Sequence, residues 1–196
     1  MKVIGLTGGV GAGKTQVLEY LNDKYGASVC QADEVARHLQ RKGTEVYEAI
    51  TAHFGGGILE KNGELCREKL AQIVFSDRKE LAALNAIVHP AVKEEIRRKI
   101  ACEERKNTNL FILEAALLIE DHYDEICDEL WYVYVKAETR KKRLVYARGY
   151  PAEKIEEIMA AQLSKEMYLR YCHRVIDNNG VFAETMLELD RIIREL

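Results

Sequence analysis

Lys2-Val3-Ile4-Gly5-Leu6-Thr7-Gly8-Gly9-Val10-Gly11-Ala12-Gly13-Lys14-Thr15 is an apolar run, then a cluster of glycines, then a lysine followed by a hydroxyl residue. Val3, Ile4 and Leu6 read as a short buried strand that stops at the glycines. Beyond them Val17, Leu18 and Leu21 recur on one face of a helix over Thr15 to Tyr25. The spacing Gly8-x-x-x-x-Gly13-Lys14-Thr15, set between a strand and a helix, is that of a P-loop. Glycines let the backbone wrap an anion in conformations closed to other residues, so that the amides point inward. The helix N-terminus adds partial positive charge. Gly9, Val10, Gly11, Ala12, Gly13, Lys14 and Thr15 are therefore expected to hold a nucleoside triphosphate. Lys14 should reach the β- and γ-phosphates and the Thr15 hydroxyl should ligate Mg²⁺. The plainer alternative, a glycine-rich turn with an exposed lysine, does not account for the full spacing in its strand–loop–helix setting.

Outward from this stretch, Ala27 to Gln31, Leu110 to Leu113, Leu130 to Val135 and Arg174 to Asp177 read as further short strands. Asp33 to about Asn107 carries helical patterns, broken by a turn at Gly55-Gly56-Gly57, with His89-Pro90 expected at a helix start. Ala137 to Tyr171 is a highly charged helical stretch broken at Gly149-Tyr150-Pro151. The last helix places Phe182, Met186, Leu189, Ile193 and Leu196 on one side. Strands separated by helices predict an α/β fold: a doubly wound, parallel five-stranded sheet with helices on both faces. Two helical insertions, near 34–106 and 137–170, complete it. A chain of 196 residues suits one such domain.

The net charge of −3 gives no reason for wholesale binding to nucleic acid or to an anionic membrane, so any bound anion needs a local site. The five cysteines (Cys30, Cys66, Cys102, Cys127, Cys172) are odd in number and make no Cys-x-x-Cys pair. That speaks against a disulfide framework or zinc site and for a reducing compartment. With neither a charged-then-apolar leader nor a long apolar run, the expected location is cytoplasmic.

A P-loop alone does not fix the reaction. The chain has no Asn-Lys-x-Asp guanine-reading motif, and its small size with a helical segment in the lid position favours a kinase, which must exclude water. Asp33, just past the second strand, falls at the carboxyl edge of a parallel sheet, where ligands bind. It either orients an attacking hydroxyl or caps the following helix. Arg37, one turn on, either neutralises a substrate phosphate or pairs with Asp33. Glu114 ends the third strand, near a Mg²⁺ water shell or as a loop cap. Leu117 and Leu118 form a wall against a base or belong to the core. Most of the basic residues in 137–170 read as a solvated face, with Arg143 and Arg148, flanking the break at Gly149, placed to close on the transferring phosphate.

Taken together, these residues resemble the dephospho-coenzyme A kinase family over essentially the whole chain. The resemblance is carried by Ile4 to Thr15, Ala32-Asp33-x-x-Ala36-Arg37, Leu84-Asn85-x-x-x-His89-Pro90, Leu117-Leu118-x-Glu120, Ala160-Ala161-Gln162 and Val175-Ile176-Asp177-Asn178-Asn179-Gly180. It implies ATP-dependent phosphorylation of the ribose 3′-hydroxyl of dephospho-CoA, with Mg²⁺, by a body in three parts. These are a nucleotide-binding core (1–33, 107–136 and 171–196), a helical CoA-binding part (34–106) and a lid (137–170). Asp33 becomes the base or orienter of the 3′-hydroxyl, and Lys14, Thr15, Arg143 and Arg148 handle phosphates. Arg37, His89, Pro90, Leu117 and Leu118 fall to the substrate, and Asn178 to the neighbourhood of the adenine. The partners implied are ATP and dephospho-CoA, with no nucleic acid and no membrane, in a monomer or weak homo-oligomer. Two positions depart from the family pattern: Gln31-Ala32-Asp33 where Asp-Ala-Asp is common, and Ala116-Leu117-Leu118 where Pro-Leu-Leu is common.

Overall fold

Val3, Ile4 and Leu6 are buried and Lys2–Thr7 forms β1, the middle strand of a five-stranded parallel sheet. A strand covered on both faces reads as a continuous apolar run, which is how this one reads. The other strands are β2 (Ser28–Gln31), β3 (Leu110–Glu114), β4 (Glu129–Tyr134) and β5 (Arg174–Asp177), in the order β2-β3-β1-β4-β5. β1 pairs parallel with β3, Ile4 facing Ile112, and with β4, Leu6 facing Trp131; β4 pairs parallel with β5. The computed structural model describes every residue from Met1 to Leu196 and divides into two compact units.

The first unit is Met1–Cys30 with Cys102–Leu196. Around the sheet it carries α1 (Lys14–Tyr25), the last turn of a long helix, and the downstream helices α6 (Ala137–Arg148), α7 (Ala152–Ala160), α8 (Lys165–Tyr171) and α9 (Phe182–Arg194). Ile4, Leu6, Val17, Leu21, Ile112, Trp131, Val133, Ile176 and Leu189 meet in one apolar cluster. Gly5 lets the layers close: a Cβ there would fall 2.7 Å from Leu130 Cδ2 and 3.0 Å from Leu118 Cδ1. The second unit, Gln31–Ala101, is helical: α2 (Ala32–Leu39), α3 (Glu45–Phe54), α4 (Arg67–Ser76) and most of α5 (Arg78–Arg105). Its buried residues include Tyr47, Ile50, Ile58, Leu70, Val74 and Val92. No helix is long and apolar enough to cross a membrane.

The five expected strands are present, β1 and β5 with the expected bounds and the other three with ends moved by a residue. Three readings change. His89-Pro90 is not at a helix start, because Pro90 sits inside the 28-residue α5. A proline here forfeits one backbone hydrogen bond, and the apolar side of α5, with Val88, Val92 and Ile96 buried, carries the helix past it. Secondly, the charged stretch breaks twice: Gly149 (φ 62°) ends α6, and Ser164, which accepts from Met167 N–H, caps α8. Thirdly, α9 turns Leu189, Phe182 and Ile193 of the expected side onto the core, but Thr185 and Ile192 are buried beside them and Leu196 is exposed.

α9 is fastened to α1 by a polar cluster. Lys24 Nζ donates to Asp190 Oδ2 at 2.6 Å, and Tyr20 and Tyr25 donate their hydroxyls to Oδ1 at 2.5 and 2.6 Å. The Lys24 bond, with the two phenols, holds the Asp190 carboxyl well below the ordinary carboxylate range and raises the lysine. A depressed carboxylate adds stability above its unfolded pKa of about 3.9 and loses it as pH falls toward the folded value. Asp190→Asn should therefore lower Tm at pH 7, and the gap to wild type should narrow as the pH is taken below about 4. Thermal melts followed by circular dichroism across that range read it directly; a gap that stays constant would remove the carboxylate charge from the account.

Candidate functional site

Thr7 ends β1 at the carboxyl edge of the sheet, and the chain then turns through Gly8 to Gly13 into α1. Gly11 (φ 83°) and Gly13 (φ 86°) take the left-handed conformation that this turn requires. Gly13 also admits a neighbour: a Cβ there would lie 2.4 Å from Asn178 Nδ2. Ala12 N–H closes back on the Gly9 carbonyl at 3.0 Å, and Val17 N–H bonds the Gly13 carbonyl as α1 begins. Lys14 curls along the loop, donating to the Gly8 carbonyl at 2.9 Å with Glu114 Oε1 at 3.4 Å. Thr15 is exposed in the first turn of α1.

The loop's outward carbonyls are held from the far end of the chain. Asn178, 1% exposed just past β5, donates Nδ2 to the Ala12 carbonyl at 2.8 Å. Its Oδ1 accepts from the Thr185 hydroxyl at 2.9 Å, and its own N–H bonds the Tyr134 carbonyl. Arg143 of α6 donates to the Asn178 carbonyl at 2.9 Å and to the Ala12 carbonyl at 3.5 Å. Arg140, one turn earlier, donates Nε to the Val10 carbonyl at 2.9 Å and Nη2 to Gln162 Oε1. Burial lowers the Arg140 pKa from its ordinary value, yet a guanidinium stays charged at any physiological pH. Tyr168 of α8 stacks on Tyr132 of β4, centroids 4.5 Å apart, and burial pushes its phenol up to about 12.

Lys14, Arg143 and Asn178 are thus brought together on one loop with Glu114. Arg148 is not among them: it is exposed, its guanidinium 5.9 Å from the Tyr150 ring centroid. Leu118 is fully buried and part of the core, whereas Leu117 is 49% exposed. Asn178, expected beside an adenine, spends its side chain on the loop backbone and Thr185. In the second unit Asp33 and Arg37 lie one turn apart on α2, both exposed. Asp33 is not the helix cap. Gln31 holds that position, and Asp33 is already inside the first turn, where a carboxylate is favoured by the helix dipole. His89 is half-buried and Pro90 exposed on α5. No group of three or more His, Cys, Asp or Glu is arranged to hold a metal. A Mg²⁺ shared with phosphates and water needs few protein ligands, and an exposed hydroxyl at Thr15 suits it.

Sequence reasoning missed Arg140, Gln162 and Thr185 as parts of this site. Arg140 is hidden in a basic run that composition reads as a solvated face. Gln162 did carry a signal, since it belongs to the Ala160-Ala161-Gln162 segment, but nothing in the order of residues ties it to Val10.

The family model described as CoaE, dephospho-CoA kinase, matches residues 2–184. A dephospho-CoA kinase from Symbiobacterium thermophilum is 40% identical over 190 residues, spanning 97% of this chain and 79% of that protein. One from Aquifex aeolicus is 40% identical over 196 residues, 100% of this chain and 98% of the relative. Among solved structures, TT1252 from Thermus thermophilus superposes with a TM-score of 0.79 at 27% identity, covering 100% of this chain and 97% of that one. With a P-loop built as above and a match along nearly its whole length, this chain belongs to the dephospho-CoA kinase family.

Proposed function

We propose that this protein transfers the γ-phosphoryl group of ATP to the ribose 3′-hydroxyl of dephospho-CoA, giving CoA and ADP in the last step of coenzyme A biosynthesis. The observation that carries the reading is the family match over residues 2–184, laid on a P-loop whose lysine and backbone are in place. In this reaction the hydroxyl oxygen bonds to the γ-phosphorus, the bond to the ADP oxygen breaks, and the hydroxyl proton departs. Little covalent chemistry falls to the protein, whose task is positioning and electrostatic stabilisation.

In this reading the inward amides of Gly9 to Thr15 and the Lys14 ammonium receive the triphosphate. Asp33 accepts or orients the 3′-hydroxyl proton; its support is its exposure, its place right after β2 and its exclusion from the capping role. Arg37, His89, Pro90 and Leu117 serve the dephospho-CoA side within a CoA-binding part at 34–106 and the loop after β3. Leu118 acts from the core, shaping that loop. Residues 137–170 act as the lid, with Arg143 already at the loop and Arg148 reaching the phosphates only when the lid closes. The Thr15 hydroxyl, with Glu114 through water, would hold Mg²⁺, which when bound neutralises charge on the β- and γ-phosphates. Asn178 is a positioning residue that fixes the loop. The enzyme works in the cytoplasm as a monomer or weak homo-oligomer.

Purified protein with ATP, Mg²⁺ and dephospho-CoA should form CoA and ADP, and adenosine or AMP should be poor acceptors in the same coupled assay. Absence of CoA formation sinks the reading. Asp33→Asn should lower kcat by roughly 10²-fold or more with ATP affinity little changed; wild-type turnover would leave Asp33 without a catalytic part. Asn178→Ala should destabilise the fold by about 1–3 kcal/mol, because the Ala12 carbonyl loses a buried donor. Denaturant titration measures it, and an unchanged midpoint would show that Arg143 alone suffices to hold that carbonyl.

A further inference from the structure

Arg140 has donors in the right place and the wrong kind of acceptor. Its guanidinium lies directly on the loop, so that a Cβ added at Gly9 would fall 2.3 Å from Cζ. Its hydrogen bonds go to the Val10 carbonyl and to Gln162 Oε1, both neutral. A cation partly removed from water is normally answered by a carboxylate or another anion, and none is paired with it. Gln162 Oε1 is unusual in its own way, because Val10 N–H also points at it, 3.3 Å away. A P-loop amide and an arginine therefore converge on one oxygen, and that oxygen is uncharged. A phosphate oxygen in the same place would make the Val10 N–H contact charge-assisted, roughly doubling its strength, and would give the Arg140 guanidinium an anionic acceptor in place of a neutral one.

We propose that Arg140 is a phosphate-binding residue at the γ end of the loop, and that Gln162 Oε1 is a stand-in that the triphosphate displaces. The end of the loop follows from Lys14. Its ammonium sits at the Gly8 carbonyl, and the lysine of this motif serves the β- and γ-phosphates. Gly9 and Val10 are the next residues along, whereas the helix N-terminus at Gly13 to Thr15 lies at the other end of the loop. The exchange makes and breaks no covalent bond: Val10 N–H and Arg140 Nη2 leave the amide oxygen for a phosphate oxygen. Gln162 stands in the turn between α7 and α8, so its displacement also unties that turn from the loop. The same pair of residues would then report the arrival of a third phosphate and release part of the lid. This inference rests on the loop binding ATP.

Calorimetric titration of ATP, ADP and AMP, with Mg²⁺, into wild type, Arg140→Ala, Arg140→Lys, Gln162→Ala and Lys14→Ala tests it. Arg140→Ala should weaken ATP about 10- to 100-fold and ADP by less than about threefold, so that the preference for the triphosphate collapses. Arg140→Lys should fall between, keeping the charge without the planar fork. Gln162→Ala should tighten ATP by about two- to tenfold, since no side chain has to be displaced. Equal losses for all three nucleotides in Arg140→Ala would mark a structural residue and overturn the proposal. So would a Gln162→Ala variant that loses ATP as badly as Arg140→Ala does. If Arg140→Ala does not fold, the lysine and Gln162 variants decide alone. Wild type that binds no ATP, or Lys14→Ala that binds it unchanged, brings down the P-loop reading itself. Loss of ATP in Lys14→Ala beside wild-type affinity in Arg140→Ala brings down only the role of Arg140.

Discussion

A loop that turns its amides inward to meet an anion must turn its carbonyls outward, and those carbonyls have to be satisfied by something else. In this protein that obligation organises the neighbourhood. The Gly8 carbonyl takes the Lys14 ammonium, the Val10 carbonyl takes Arg140, and the Ala12 carbonyl takes Asn178 and Arg143. The Gly9 and Gly13 carbonyls are closed by the loop's own turn and by the start of α1. The anion-facing side is thereby fixed in shape before any ligand arrives, which reduces what binding must spend on ordering. Three of these donors are cationic. A chain with net charge −3 thus concentrates positive potential at one place through backbone acceptors, with Glu114 the one acid paired there.

The same arrangement explains why α6 belongs to the site although its composition is that of a solvated helix. Leu144 is its buried anchor, and Arg140 and Arg143, three residues apart, project from one side onto the loop. Lys141 and Lys142 lie outside that side and are exposed, Lys141 paired with Glu156 of α7. Arg148, at the last position before Gly149, is carried round to Tyr150. One basic run thus supplies both site residues and ordinary surface, divided by helical phase.

Much of the fold was legible because it rests on local patterns. The five apolar runs and the glycine-lysine spacing survive any change of context, so strands and loop appear in sequence with little ambiguity. Pro90 was misread because local propensity puts proline at a helix start, while the burial of Val88, Val92 and Ile96 keeps α5 continuous through it. Thr185 was left off the inward face of α9 because it counts as polar in a periodicity reading; its hydroxyl is satisfied by Asn178 and the Asp177 carbonyl, which lets it be buried. Arg140 and Gln162 were illegible as a pair. Their partner is a backbone carbonyl and amide at Val10, and backbone groups leave no trace in the order of side chains.

The distances along the chain between the loop and its supports bear on how the molecule comes to exist. Asn178 reaches back 166 residues to Ala12, Arg140 reaches 130 to Val10, and Tyr20 is separated from Asp190 by 170. Contacts of such high order are slow to form, since the entropy of closing a long loop is lost before the contact returns anything. On a ribosome, the glycines of the motif emerge long before Arg140, Asn178 and Asp190, the residues that brace them. Until β5 and α9 have been made, the Ala12 carbonyl lacks its buried donor and α1 lacks its tie to Asp190, so the bracing of the phosphate loop is among the last things the sequence completes.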